Sequence, residues 1–138
     1  MAEHLMTLHC EPCPSWRHEA WQLIVDGRLR WEEQEYCTAC AVQACGGGWG
    51  PPPPRVRERI VAEEGTVRVA VGGPDGAPLK AVREVFGLTL RELAGARQYG
   101  LDATPVEAEL LQAVAARFRG GAARSAGGVT ADAGPELP

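Results

Sequence analysis

The residues best suited to chemistry in this sequence are its five cysteines, all of which fall within the first 45 positions. Cys10-Glu11-Pro12-Cys13 and Cys37-Thr38-Ala39-Cys40 are two C-x2-C pairs with 23 residues between them. Each such pair folds a tight knuckle that aims two thiolates at one point, and two knuckles complete a tetrahedral thiolate site for zinc. The spacing predicts one Zn2+ held by Cys10, Cys13, Cys37 and Cys40. Three other uses of these cysteines fit less well. Five is an odd number for a disulfide framework. Thioredoxin-like redox chemistry wants one pair at the head of a helix in a βαβ setting. A catalytic zinc keeps an open coordination position beside an acid–base group. Cys45 is left over, either as a surface thiol or as a replacement for Cys40. His9 adjoins Cys10 and reads as a neighbour of the site rather than a ligand, and His4 and His18 read as surface residues.

No other pattern points to catalysis. The sequence offers no nucleophile–base pair and no carboxylates clustered with a histidine. Gly72-Gly73-Pro74-Asp75-Gly76 lacks the lysine and the following helix of a phosphate-binding loop. A non-enzymatic protein is expected.

The element that must position the cysteines lies between the pairs. Trp21–Val25 and Arg28–Glu32 flank Asp26-Gly27, a dipeptide that supplies positive φ at both centres of a type I′ turn. The turn sets a register in which Ile24 opposes Leu29 and Gln22 opposes Trp31 on one face. Trp21, Leu23 and Val25 oppose Glu32, Arg30 and Arg28 on the other. Two knuckles joined by a hairpin resemble a zinc ribbon over residues 8–45. Trp16, Trp21, Trp31 and Tyr36 crowd into this short module, as core or as a partner-binding face.

Composition limits the rest. The chain has 138 residues, 45% hydrophobic and 23% charged, with a formal charge of −4. No apolar run approaches the roughly 18 to 20 residues needed to span a bilayer. Met1–Met6 has neither a basic nor an apolar leader region. A cytoplasmic chain with no membrane partner is expected. The acidic excess lies before residue 55, where a phosphate backbone would be repelled. Gly46-Gly47-Gly48-Trp49-Gly50 followed by Pro51–Pro54 reads as a linker over 46–54. The glycine-rich stretch 120–138 reads as a disordered tail. These boundaries give a zinc-ribbon-like module at 1–45 and a second domain at 55–119.

In that second domain, Thr66–Val71 alternates as a strand, and 55–62 is either a strand or a helix. As a strand, 55–62 would pair with 66–71. Leu79, Val82, Val85 and Phe86 form an amphipathic helical stripe closed by Gly87. Thr89-Leu90-Arg91-Glu92 is a capping box that opens a second helix to about Arg97. Thr104-Pro105, with Glu107 three residues after Thr104, opens a third helix striped by Leu110, Leu111, Val114 and Phe118. The run Leu79–Glu92, with Val106–Leu111, resembles the C-terminal domain of the bacterial ribosomal stalk protein across about 66–119. That resemblance implies a strand, two short helices, a second strand and a third helix. It also implies that the first two helices recruit a protein, with Lys80, Arg83, Leu88 and Arg91 at the partner-facing positions. The family's last strand has no counterpart after Arg119.

The expected fold is therefore α+β: a small zinc ribbon followed by a stalk-like module of one small sheet and three helices. The expected function is a non-catalytic zinc adaptor that recognises a protein through the helix pair, the Trp-rich ribbon, or both. A ribosome- or nucleic-acid-associated factor using Arg55, Arg57, Arg59 and Arg68 as a basic strip is one alternative, and a small metal-dependent enzyme is another.

Overall fold

The computed structural model describes the backbone of residues 14–133 and the side chains of 14–120. Among these residues the protein is mixed α+β, with a three-stranded antiparallel sheet, a two-stranded sheet and four helices. The first sheet comprises β1 (Trp16–Val25), β2 (Arg28–Cys37) and β3 (Val42–Trp49), in that order. Asp26 and Gly27 take φ of 53° and 71°, as the type I′ turn requires. The expected register holds, with Ile24 opposite Leu29 and Gln22 opposite Trp31, and it runs on to Trp16 opposite Cys37. The hairpin is thus twice as long as its apolar core alone would suggest.

The third strand departs from the linker expected over 46–54. Gly46–Trp49, expected as linker, form the second half of β3 and pair with Arg30–Glu33. The glycines have a packing reason. A Cβ on Gly48 would sit 2.9 Å from Trp31 Nε1, and one on Gly46 would sit 3.2 Å from Glu33 Oε2. Large β2 side chains lie flat across β3, so glycine there makes room rather than freedom.

After the prolines comes helix α1 (Pro54–Glu64). Pro54 sits at its first turn, where a missing N–H costs nothing. Val56 and Ile60, four apart, are its buried stripe, and it packs along β1. A strand at 55–62 would have put Glu58 on the same face as Val56 and Ile60. The chosen helix also rules out pairing of 55–62 with 66–71. Instead β4 (Val67–Val69) pairs antiparallel with β5 (Leu101–Ala103).

Helices α2 (Leu79–Phe86), α3 (Leu90–Tyr99) and α4 (Pro105–Ala133) complete the chain. Gly87 closes α2 at φ 61° with its N–H on Arg83 O. Helix α4 continues to Ala133, through most of the segment 120–138 that the glycine content marks as a disordered tail. Leu29 shares one buried cluster with Val71, Val82, Val85, Leu110, Leu111 and Val114, and Ile24 packs against it. The hairpin tip is therefore part of the core beneath the helices.

Candidate functional site

Cys37 and Cys40 sit at the turn joining β2 to β3. Cys37 is buried at the strand end, and Cys40 is exposed in the turn. The Cys40 N–H donates to Cys37 Sγ at 3.4 Å, and the Ala41 N–H donates to Cys37 O at 3.0 Å. Ala41 takes φ 59°, which bends the chain back into β3. A backbone N–H directed at sulfur is compatible with a metal-binding thiolate at this turn. The other two expected ligands, Cys10 and Cys13, lie outside the described residues, as do His4 and His9. Cys45 is exposed in the middle of β3, opposite Gln34. Strand alternation puts it on the face opposite Cys37, so it does not substitute for Cys40 there.

The sheet has two unlike faces. The inner face carries His18, Gln22, Leu29, Trp31, Glu33, Glu35 and Cys37, most of them buried. The outer face carries Trp21, Arg28, Arg30, Tyr36, Cys45 and Trp49. Trp21 is 37% exposed and Trp49 46%. The guanidinium carbons of Arg28 and Arg30 lie 4.4 and 5.2 Å from the Trp49 ring centroid, a cation–π stack that holds the indole against the sheet. Tyr36 donates its hydroxyl to Glu19 at 3.3 Å.

The inner face corrects the expectation that no carboxylates gather around a histidine. His18 Nε2 lies 2.9 Å from Glu33 Oε1 and 3.8 Å from Glu35 Oε1. The ligand atoms of these three residues lie within 4.8 Å of one another. The arrangement matches a small metal site in composition, but Arg55 from α1 clamps both carboxylates, at 3.0 Å to Glu33 and 2.7 Å to Glu35. The cluster fastens α1 to the sheet. The signal was available: extending the Asp26-Gly27 register places His18 opposite Glu35, with Glu33 two residues away on the same face.

The remaining arginines expected as a basic strip are dispersed. Arg57 binds Glu107 at 2.8 Å and Asp102 O at 2.9 Å. Arg59 donates to His18 O at 2.7 Å, and Arg68 lies 3.5 Å from Asp102. Three of the four expected strip residues stand on a helix rather than a hairpin, and each of the four meets a carboxylate or carbonyl. The Arg57 guanidinium is held above its ordinary pKa, mainly by its hydrogen bond to Glu107.

On the helix pair, Lys80, Arg83 and Arg91 are exposed, whereas Leu88 is half-buried and packs against the core. The prominent apolar group there is Leu90, 71% exposed. Among the described residues no helix is long and apolar enough to cross a membrane. No protein-family model, curated protein or solved structure matches the chain.

Proposed function

We propose that the protein is a non-catalytic zinc-binding adaptor that recognises a protein partner through the outer face of its three-stranded sheet. The observation that carries this reading is the solvent-facing pair Trp21 and Trp49, held on a hydrogen-bonded sheet with Arg28 and Arg30 stacked on Trp49. Tryptophan and arginine are enriched among the residues that anchor interfaces, and the rigid indole buries a large area at little conformational cost. The helix pair is the weaker face, since Leu88 is spent on the core.

Zinc belongs to the same reading. The turn with a backbone donor on Cys37 Sγ fits a thiolate ligand pair. Cys13 stands three residues before Trp16, which pairs with Cys37, so the first C-x2-C is within chain reach of the second. Cys10, Cys13, Cys37 and Cys40 would hold the ion, and its contribution is structural: it ties the chain start to the β2–β3 turn.

Cobalt substitution tests the metal. The full chain should bind one Co2+ with the intense ligand-to-metal absorption of four thiolates. Cys37→Ser should abolish that spectrum, and Cys45→Ser should leave it intact. A Cys37→Ser protein with the parent spectrum and metal content overturns the assignment. For the partner face, Trp21→Ala with Trp49→Ala should remove partner cross-links while metal content stays at one per chain. Cross-links that persist in that variant move recognition elsewhere on the molecule.

A further inference from the structure

The two edges of the three-stranded sheet are treated differently. At the hairpin a two-residue turn makes Val25 and Arg28 a hydrogen-bonded pair, so odd-numbered β1 residues face β2 and even-numbered ones turn their backbone groups outward. That outward edge is guarded: α1 packs along β1, and Arg59 takes the His18 carbonyl. At the other side, the Gly50 N–H donates to Leu29 O. With the unbroken register, this makes Val42, Ala44, Gly46 and Gly48 the residues that face β2. Gln43, Cys45, Gly47 and Trp49 therefore turn both N–H and C=O away from the sheet. Among the described residues no strand pairs with them.

An exposed edge usually carries a lysine, a proline or a bulge that discourages pairing. Strand β3, Val-Gln-Ala-Cys-Gly-Gly-Gly-Trp, has none of these over eight residues. We propose that this edge is an interface, and that its occupant is a second copy of the chain, paired antiparallel along β3.

The choice of a second copy follows from symmetry. A two-fold axis sets a strand against itself, so any charge on the strand would meet its own image. Strand β3 has no charge. The four outward residues are spaced symmetrically about position 46. An axis through Gly46 therefore pairs Gln43 with Trp49 and Cys45 with Gly47, and uses every free donor and acceptor. Side-chain sizes agree with that register. The large Trp49 meets Gln43, Cys45 meets a glycine, and on the inner face Gly46 meets Gly46 and Ala44 meets Gly48. The result is one continuous six-stranded sheet, with Trp21 and Trp49 of both copies on a shared outer face. This interface depends neither on the zinc nor on the foreign partner proposed above.

Sedimentation of the full chain under reducing conditions tests it. The mass should rise from one chain to two as concentration increases. Cys45→Pro removes an N–H that the monomer does not use. Cys45→Lys adds a charge beside the axis. Both variants should stay at one chain over that whole range, with far-ultraviolet circular dichroism like the parent's. Hydrogen exchange supplies a second reading without mutation: the Cys45, Gly47 and Trp49 amides should slow as the parent is concentrated. A parent that remains a single chain at every concentration overturns the proposal. So does a folded Cys45→Lys variant that dimerises like the parent.

Discussion

The same four-residue motif starts two helices of this protein, with different results. At α3, Thr89 Oγ1 accepts the Glu92 N–H at 3.1 Å, and Glu92 accepts the Thr89 N–H at 2.8 Å. At α4, Thr104 Oγ1 accepts the Glu107 N–H at 3.2 Å, and Glu107 accepts the Thr104 N–H at 2.9 Å. Locally the two boxes are alike. The first stands in solvent, with both residues exposed. In the second, Thr104 and Glu107 are almost wholly buried. Glu107 also accepts from Arg57 on α1 at 2.8 Å and from the Gln22 amide on β1 at 2.9 Å. The Thr104 hydroxyl donates to the Gln22 carbonyl oxygen. One box closes a helix end; the other has become the joint between the three-stranded sheet, α1 and α4. A cap's role is thus decided by what packs over it.

Glu107 is where this difference is most exposed to test. Glu107→Ala strands a half-buried guanidinium, the Gln22 amide and the Thr104 N–H at once. Removing one partner of a buried ion pair costs about 3–5 kcal/mol, and urea unfolding followed by circular dichroism should show a loss of that order. The same carboxylate gives a pH signature. Burial is the largest influence on Glu107 and opposes its charge, but Arg57, the Thr104 N–H and the Gln22 amide together hold its pKa below the ordinary glutamate value. A lowered folded pKa contributes stability above the unfolded value that is lost as pH falls through the folded one. The stability gap between the parent and Glu107→Gln should be full at pH 7 and close below about pH 4. A gap independent of pH would remove the charged network from the account.

The two threonines give the next effects. Thr104→Ala removes a cap and leaves the buried Gln22 carbonyl oxygen without its donor. A lost cap costs about 1 kcal/mol and an unsatisfied buried acceptor about 1–3 kcal/mol, so a total of about 2–4 kcal/mol is expected. Thr89→Ala loses only the cap, about 1 kcal/mol. Equal midpoint shifts for the two variants would mean that burial adds nothing to the motif.

Both boxes were legible in the sequence because each is written within four consecutive residues, as are the Asp26-Gly27 turn and the Gly87 stop. What could not be read were pairings across distance. Nothing near Glu107 announces Arg57 or Gln22, and the sheet-to-helix joint was therefore missed. Glycine misled for a related reason. Gly46 and Gly48 look like linker residues until Glu33 and Trp31 are seen lying across them. Pro54 reads in sequence as the last of four linker prolines, although proline also suits the first turn of a helix, where the structure has it. The candidate metal site divides in the same way: spacing marked Cys37 and Cys40 as a pair, and the structure sets them on one turn. The aromatic face is only partly written in the local sequence. Trp21 was placed opposite Glu32 from the turn alone, but Trp49 joined it only through a strand that the glycines concealed.

The smallest effect should come from Glu92, and it sharpens the comparison most because its chemistry differs so little from that of Glu107. The Glu92 pKa is also lowered, first by the Thr89 N–H and then by the Thr89 hydroxyl. The sign is therefore the same: its contribution is present above the unfolded value and fades as pH falls through the folded one. The difference lies in what replaces the carboxylate. In Glu92→Ala the Thr89 N–H turns to water, which is already at hand, and no cation is left unpaired in the interior. The urea midpoint should move less than in Thr89→Ala and far less than in Glu107→Ala. The residual shift should shrink further in high salt, as expected of an exposed charge near a helix start. A Glu92→Ala shift matching that of Glu107→Ala would mean that the four-residue box, and not its burial, sets the stability of both helix starts.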